Sequence, residues 1–340
     1  MLRYNLINTK KRRAMQPLLN ALNKIVEPHL SQGLIIAVSG GADSKILLEC
    51  IAIWPRRING NIIIVSCDHK IRHESNNESK AVIARAKVLG FHGEAIKLKI
   101  NGKYNEAILR KYRYNALWKF AKNRNIKAIC TAHHANDSSE GFLLDLFGYG
   151  GGISGSYIPE KTYMPNGVLL RPFANIFKKD LLLALSSLSF IDYFQDPLNF
   201  MKTSKRSLIR YDILPSLRKY YSNIDKRLFK LAKKRADDEK FINKICRTKY
   251  LSHKSSNQIK LTLKTNEPSI IRRILKNSLL LLLEGKDLRD ADKTIEQIID
   301  LFNENSTQYI VNTHKKLSFD LPYAKAIIDD NQIIIKKMIN

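Results

Sequence analysis

The chain has 340 residues, enough for about two domains of ordinary size. A hydrophobic content of 44%, with 13 Phe and 14 Tyr, supplies a packed core and excludes a disordered chain. Its 58 Lys and Arg against 31 Asp and Glu leave +27 at neutral pH, which suits a polyanionic partner, nucleic acid or an acidic membrane face, although compositional drift toward lysine also produces such a total.

In chain order, a helix is expected over residues 15–30, packed on the outside. Apolar runs at 34–38, 62–67, 94–98 and 127–131 then alternate with helical periodicity at 44–53, 75–89, 104–123 and 137–147. That alternation is the signature of βαβ units around a parallel sheet. Five glycines fall within residues 148–156, which reads as a mobile loop or a backbone surface meant to approach a ligand. A second α/β stretch extends to about Pro215. Residues 202–249 carry 16 basic and 5 acidic residues, an excess larger than a solvated helix face needs and typical of a polyanion track. The tail shows helical patterns at 269–283 and 291–303, an apolar run at Tyr309, Ile310 and Val311, and further runs at 324–328 and 332–335, together a small α+β domain.

Other signals are exclusions. Cys50, Cys67, Cys130 and Cys246 form no C-x-x-C pair, so neither a disulfide framework nor a zinc ribbon is expected, in keeping with a reducing cytoplasm. The basic group Lys10, Lys11, Arg12 and Arg13 has no apolar stretch behind it, unlike a secretory leader. The leucine run at 279–283 is far shorter than the ~20 residues of a membrane span. A cytoplasmic protein with no membrane anchor is expected.

The segment from Ile35 through Ser39, Gly40, Gly41, Ala42, Asp43 and Ser44 carries the chemistry. An apolar strand runs into Ser-Gly-Gly and then into a helix, which gathers backbone N–H groups and hydroxyls into an anion cradle. Asp43 beside phosphate is repulsive unless a divalent cation lies between them, so it is a candidate Mg²⁺ ligand. The spacing is not that of a Walker loop.

Ser-Gly-Gly-x-Asp-Ser after the first strand resembles the pyrophosphate-binding loop of the ATP pyrophosphatase superfamily. Four further segments resemble the tRNA(Ile)-lysidine synthetase family within it. These are Ser66-Cys-Asp68-His69 with Arg72 and Ser75, then Arg110-Lys-Tyr-Arg113-Tyr114, Thr131-Ala-His133-His134-Ala-Asn136-Asp137-Ser-Ser-Glu140, and Asp196-Pro197-Leu-Asn199 followed by Arg206-Ser-Leu-Ile-Arg210. The resemblance spans roughly residues 33–215.

It implies a Rossmann-like parallel sheet of the PP-loop type, followed by a basic helical region and the small α+β domain, with a boundary near 215/216. It also implies ATP bound by residues 39–44, Asp68 and His69, and Mg²⁺ held by Asp43 and Asp137. Asp43, Arg113, His133 and Asp137 are then the catalytic set, with Asp137 a candidate base and the cap of its helix, while Arg206, Arg210, Lys233, Lys234 and Arg235 hold tRNA. The implied reaction adenylates the wobble cytidine of an isoleucine tRNA bearing CAU and joins free L-lysine to its carbon 2, changing decoding from AUG to AUA. Oligomeric state is left open, a homodimer among the options.

Five positions depart from the pattern: Asn136 replaces an acid, Gly141 a Thr, Leu109 an Ala, Ser207 an Asn, and Gly148 falls about where an Arg is usual. Asn136 loses a charge, although its carbonyl can coordinate a cation. Two rival readings are a tRNA thiolase and a non-catalytic tRNA-binding paralogue.

Overall fold

The computed structural model describes residues 9–68, 75–100, 106–148, 157–186, 204–249, 255, 257–262, 267–283, 291–303, 317–329 and 332–338. They fall into two compact units, one ending at Ala232 and the other beginning at Lys233.

The first unit is built on six strands: β1 Leu34–Ala37, β2 Ile62–Asp68, β3 His92–Lys97, β4 Ala128–Cys130, β5 Lys161–Met164 and β6 Gly167–Leu170. Their spatial order is β3-β2-β1-β4-β6-β5, parallel throughout except for β5 at the edge. The helices are α1 Thr9–Ile25, α2 Ala42–Ile53, α3 Ser75–Val88, α4 Glu106–Asn123, α5 Ala135–Leu146 and α6 Lys178–Ser186. After them come α7 Lys205–Leu208, a π-helical turn Ile209–Ile213, α8 Leu214–Tyr220 and α9 Ile224–Lys249. The π turn comes just before Pro215, the second residue of α8, which has no N–H to continue the regular ladder.

Alternation along each strand decides the two cores. Leu34 and Ile36 of β1 face a layer with Met15, Leu18 and Leu22 of α1, Leu47 and Ile51 of α2 and Leu181 of α6. Ile35 between them faces Leu117, Trp118 and Ala121 of α4. Strands covered on both faces read as unbroken apolar runs, which is why they were visible in the sequence. The first helix begins earlier than expected and stops at Ile25, and a separate 3₁₀ turn, Glu27–Gln32, follows with Pro28 as its second residue. At Gly167 the backbone has φ 146°, and a Cβ there would lie 2.1 Å from the Lys127 carbonyl oxygen, so β6 can start beside β4 only with glycine.

The second unit is an antiparallel sheet of β7 Gln258–Thr262, β8 Leu317–Leu321, β9 Ala324–Asp329 and β10 Gln332–Lys337, in the order β7-β10-β9-β8. Helices α10 Pro268–Leu282 and α11 Ala291–Asn303 share its core, through Ile271, Leu275 and Leu279 and through Ile295, Ile298 and Ile299. This is the α+β arrangement expected of the tail, while the run at Tyr309, Ile310 and Val311 lies outside the described residues. Among the described residues no helix is long and apolar enough to cross a membrane.

Candidate active site

Chain order reverses in the sheet between β1 and β4, and the crevice beyond their carboxyl ends is where open α/β sheets bind ligands. Residues 39–44 follow β1, and residues 131–140 follow β4. Gly40 takes φ 87°, a left-handed conformation that turns the chain into α2. The Ser44 hydroxyl donates to the Gly41 carbonyl at 2.9 Å and so accepts the Ser39 N–H at 3.2 Å, with the Ser39 hydroxyl 3.3 Å away. The two serines thus brace the loop from within. No side chain caps α2, so its first N–H groups face the crevice for an anion to use.

Asp43 sits at the mouth of this cradle. His134 Nε2 lies 3.5 Å from its Oδ2, and the Lys178 ammonium lies 3.4 Å from its carboxylate. Burial would raise the Asp43 pKa, but His134 and Lys178 outweigh it and hold the carboxyl below its usual range. His134 is buried between Asp43 and Asp137, whose carboxylates overcome the cost of burial and raise its pKa.

Helix α5 begins two residues earlier than expected. His134, not Asp137, occupies the N-cap, and Asp137 reaches back as the third helical residue to accept the His134 N–H at 2.9 Å. Burial pushes the Asp137 carboxyl up, yet His134, His133 and Arg206 together hold it well below the carboxylate range. Arg206 and Arg210 turn their guanidinium groups onto this turn. Arg210 forks onto Glu140 with two bonds of 2.7 Å, Arg206 donates to Glu140 at 3.0 Å, and both approach Asp137 Oδ1 at 3.4–3.5 Å.

A second cluster surrounds His133. Arg110 Nη1 lies 3.2 Å from His133 Nε2, and Thr131 Oγ1 lies 2.8 Å from Nδ1. A guanidinium can only donate, so Nε2 is the acceptor and Nδ1–H is the donor to Thr131. Burial, together with Arg110, Arg171 and Arg113, lowers the His133 pKa to about 3 against the pull of Asp137, and the ring is neutral. Arg110 and Arg113 flank the Tyr114 ring, 5.2 and 5.8 Å from its centroid.

Asn136 is buried, and its carbonyl accepts the Lys178 backbone N–H at 2.8 Å while its amide donates to Asp225 at 2.7 Å. That carbonyl, read from the sequence as able to hold a cation, is occupied within the protein.

The structure therefore brings Ser39, Gly40, Gly41, Ala42, Asp43 and Ser44 together with His134 and Asp137, and gathers Arg113 near His133. Asp68 is buried at the end of β2, and its backbone carbonyl accepts the Leu98 N–H at 2.8 Å. His69, Arg72, the acidic Asp196 and the glycine run after Gly148 lie outside the described residues. Lys233, Lys234 and Arg235 are exposed on α9 in the second unit. Sequence reasoning missed Arg171, which donates to the Pro159 carbonyl and Thr162 Oγ1, Lys178 against Asp43, and Asp225 against Asn136. None lies within a dense motif.

The residues present fit Mg²⁺ at Asp43. Among the described residues no group of three or more His, Cys, Asp or Glu is set to hold a metal, and Mg²⁺ in nucleotide sites takes one or two carboxylates, the substrate phosphates and water. The buried Asp43 Oδ1 makes no hydrogen bond and has only the Lys178 ammonium near it at 3.4 Å, so an ion that displaces that lysine can take it, whereas Asp137 is engaged by His134 and two arginines.

Comparison with known proteins agrees with this geometry. A tRNA(Ile)-lysidine synthase from Orientia tsutsugamushi is 31% identical over 184 residues, covering 52% of this chain and 41% of that protein. The namesake from Wolbachia pipientis wMel is 33% identical over 182 residues, with the same coverage. That from Bacillus licheniformis is 27% identical over 240 residues, 68% of this chain and 50% of its own length. The chain thus spans half or less of the length of these curated relatives. Among solved structures, the U34-tRNA thiolase NcsA from Methanococcus maripaludis shares the fold at a TM-score of 0.56 and 15% identity, over 67% of this chain and 80% of that one. Residues 14–217 match the PP-loop domain family, and with the anion loop at the sheet's switch point they establish that the chain belongs to it.

Proposed function

We propose that this chain is an ATP-dependent tRNA(Ile)-lysidine synthetase. The observation that supports it best is the meeting of the 39–44 loop with the His133–Glu140 motif, where Asp43 and Asp137 share His134. A nucleotide-binding fold alone does not require that second motif.

In this reading ATP seats its phosphates on the N-terminus of α2, with the hydroxyls of Ser39 and Ser44 beside them. Mg²⁺, when bound, is held by Asp43 and offsets phosphate charge. The oxygen on carbon 2 of the wobble cytidine displaces pyrophosphate from ATP. Arg110 and Arg113 neutralise the charge that gathers on that leaving group, and neutral His133 keeps Arg110 aimed. The neutral ε-amine of free lysine then attacks carbon 2, the bond from carbon 2 to oxygen breaks, AMP departs with that oxygen, and the proton lost by the amine passes to solvent. A carboxyl held as low as that of Asp137 is a weak base, so we assign it to organising charge rather than to taking the proton. Exposed lysines and arginines of α9, including Lys233, Lys234 and Arg235, hold the tRNA body, while Arg206 and Arg210 serve the carboxylates of α5.

The test is transfer of label. The protein is incubated with ATP, Mg²⁺, labelled lysine and an isoleucine tRNA transcript bearing CAU, beside initiator tRNA. Label is expected in the isoleucine tRNA alone, and its absence there overturns the proposal.

A further inference from the structure

Every polar side chain in the run Asn136-Asp137-Ser138-Ser139-Glu140 is engaged. Ser138 accepts the Ile158 N–H at 3.0 Å, and Ser139 donates to the backbone carbonyl of Asp225 at 3.0 Å. Asn136 faces a donor on one side, the Lys178 N–H, and an acceptor on the other, Asp225 Oδ1, so a single orientation of its amide satisfies both. Arg218 forks onto the same Asp225 carboxylate with two bonds of 2.8 Å. The first turn of α9 is thereby fastened to α5 twice, and Phe229 one turn later packs against Tyr157 and Phe177 with ring centroids 5.7 and 5.6 Å apart.

A carboxylate at position 136, the residue type of the resembling motif, would set two anions 2.7 Å apart, one of them buried. The amide suits this chain because Asp225 carries the negative charge one hydrogen bond further out. On the same turns of α9, Lys226, Arg227 and Lys230 are exposed.

We propose that Asn136 is a positioning residue, which joins α5 to the first turn of α9 and so holds Lys226, Arg227 and Lys230 in place for the tRNA. The inference rests on the lysidine-synthetase reading for the identity of that RNA. Its core is the polarity of one hydrogen-bonded pair, a buried amide on α5 and a half-buried carboxylate on α9.

A polarity swap tests it in the full chain. Asn136→Asp is expected to raise the KM for isoleucine tRNA, and the directly measured tRNA Kd, about tenfold, with kcat at saturating tRNA within about threefold of wild type. Adding Asp225→Asn restores the pair with its polarity reversed, and the double variant is expected to return to within about threefold of wild type. A double variant no better than Asn136→Asp overturns the inference, as does an Asn136→Asp protein that binds tRNA like wild type. If Asn136→Asp does not fold, Asn136→Ala, Asp225→Ala and their combination decide: Asp225→Ala also frees Arg218, so a combined loss no larger than that of Asp225→Ala alone supports the joint, and additive losses overturn it. A wild-type protein that holds no isoleucine tRNA defeats the lysidine reading itself, and the inference with it.

Discussion

Asp43 carries the greatest demand of any single side chain, because it faces the phosphate cradle while paired with His134 and Lys178. Replacing it with Asn keeps the shape and removes the charge. Pyrophosphate release by Asp43→Asn is expected to fall about a hundredfold, the cost of losing one preorganised electrostatic group. His133 gives a prediction of opposite character, on stability. Its folded pKa of about 3 lies below the ordinary histidine value of 6.5, so between those limits the unfolded chain takes a proton that the folded ring refuses. Stability is lost as pH falls from 6.5 toward 3, and His133→Gln is expected to show a smaller drop in thermal midpoint between pH 7 and pH 4.5. Most of these residues were legible because they cluster in motifs at strand ends. Lys178, Arg171 and Asp225 were not, since a lone charged residue acquires meaning only from the partner the fold brings to it.

Helix α5 organises the site as an element. Its first two turns bind the helical run around Arg206 and Arg210 through Glu140, whose side chain is 4% exposed. Glu140→Gln leaves two partly buried guanidinium groups short of a counter-charge and is expected to cost about 3 kcal/mol, read as a fall in denaturant midpoint at unchanged slope. Strand β6 depends on a different constraint. Gly167→Ala forces a methyl into the Lys127 carbonyl, and a loss of at least about 2 kcal/mol is expected in the same measurement. Strands β1, β2 and β4 were readable as apolar runs because both faces are covered, whereas β3, at the edge, fully buries none of its residues. The edge hairpin of β5 and β6 and the isolated β7 were harder: each is four or five residues, and alternation that short is matched by many loops.

At the scale of the whole molecule, the charge excess is divided by use. Part of it is spent within the protein, where Arg206 and Arg210 neutralise buried Glu140 and Arg218 neutralises half-buried Asp225. The proposed function assigns exposed basic residues of α9 to the tRNA. Reversing Lys233, Lys234 and Arg235 together is expected to weaken tRNA binding and to flatten the slope of log affinity against log salt by up to about two, near 0.7–0.9 for each phosphate no longer neutralised. An unchanged slope would remove these residues from the tRNA surface. The division into an α/β unit and a small α+β unit was visible in composition, but the role of the first turn of α9 in completing the first unit was not, because it depends on a hydrogen bond spanning almost ninety residues, from Asn136 to Asp225.

The bond from Asn136 to Asp225 also bears on the order of assembly. The nucleotide loop, β4 and α5 are all synthesised long before Asp225 emerges, so a nascent chain holding every residue of the family match, 14–217, still lacks the acceptor of Asn136 Nδ2 and leaves Ser139 Oγ only the longer bond of 3.4 Å to the Ala135 carbonyl. Buried donors without partners each cost roughly 1–3 kcal/mol, which keeps the unit loose until about fifteen more residues have cleared the ribosome. Protease resistance acquired in one step between chains ending at 217 and at 232 is the expected mark of that late closure.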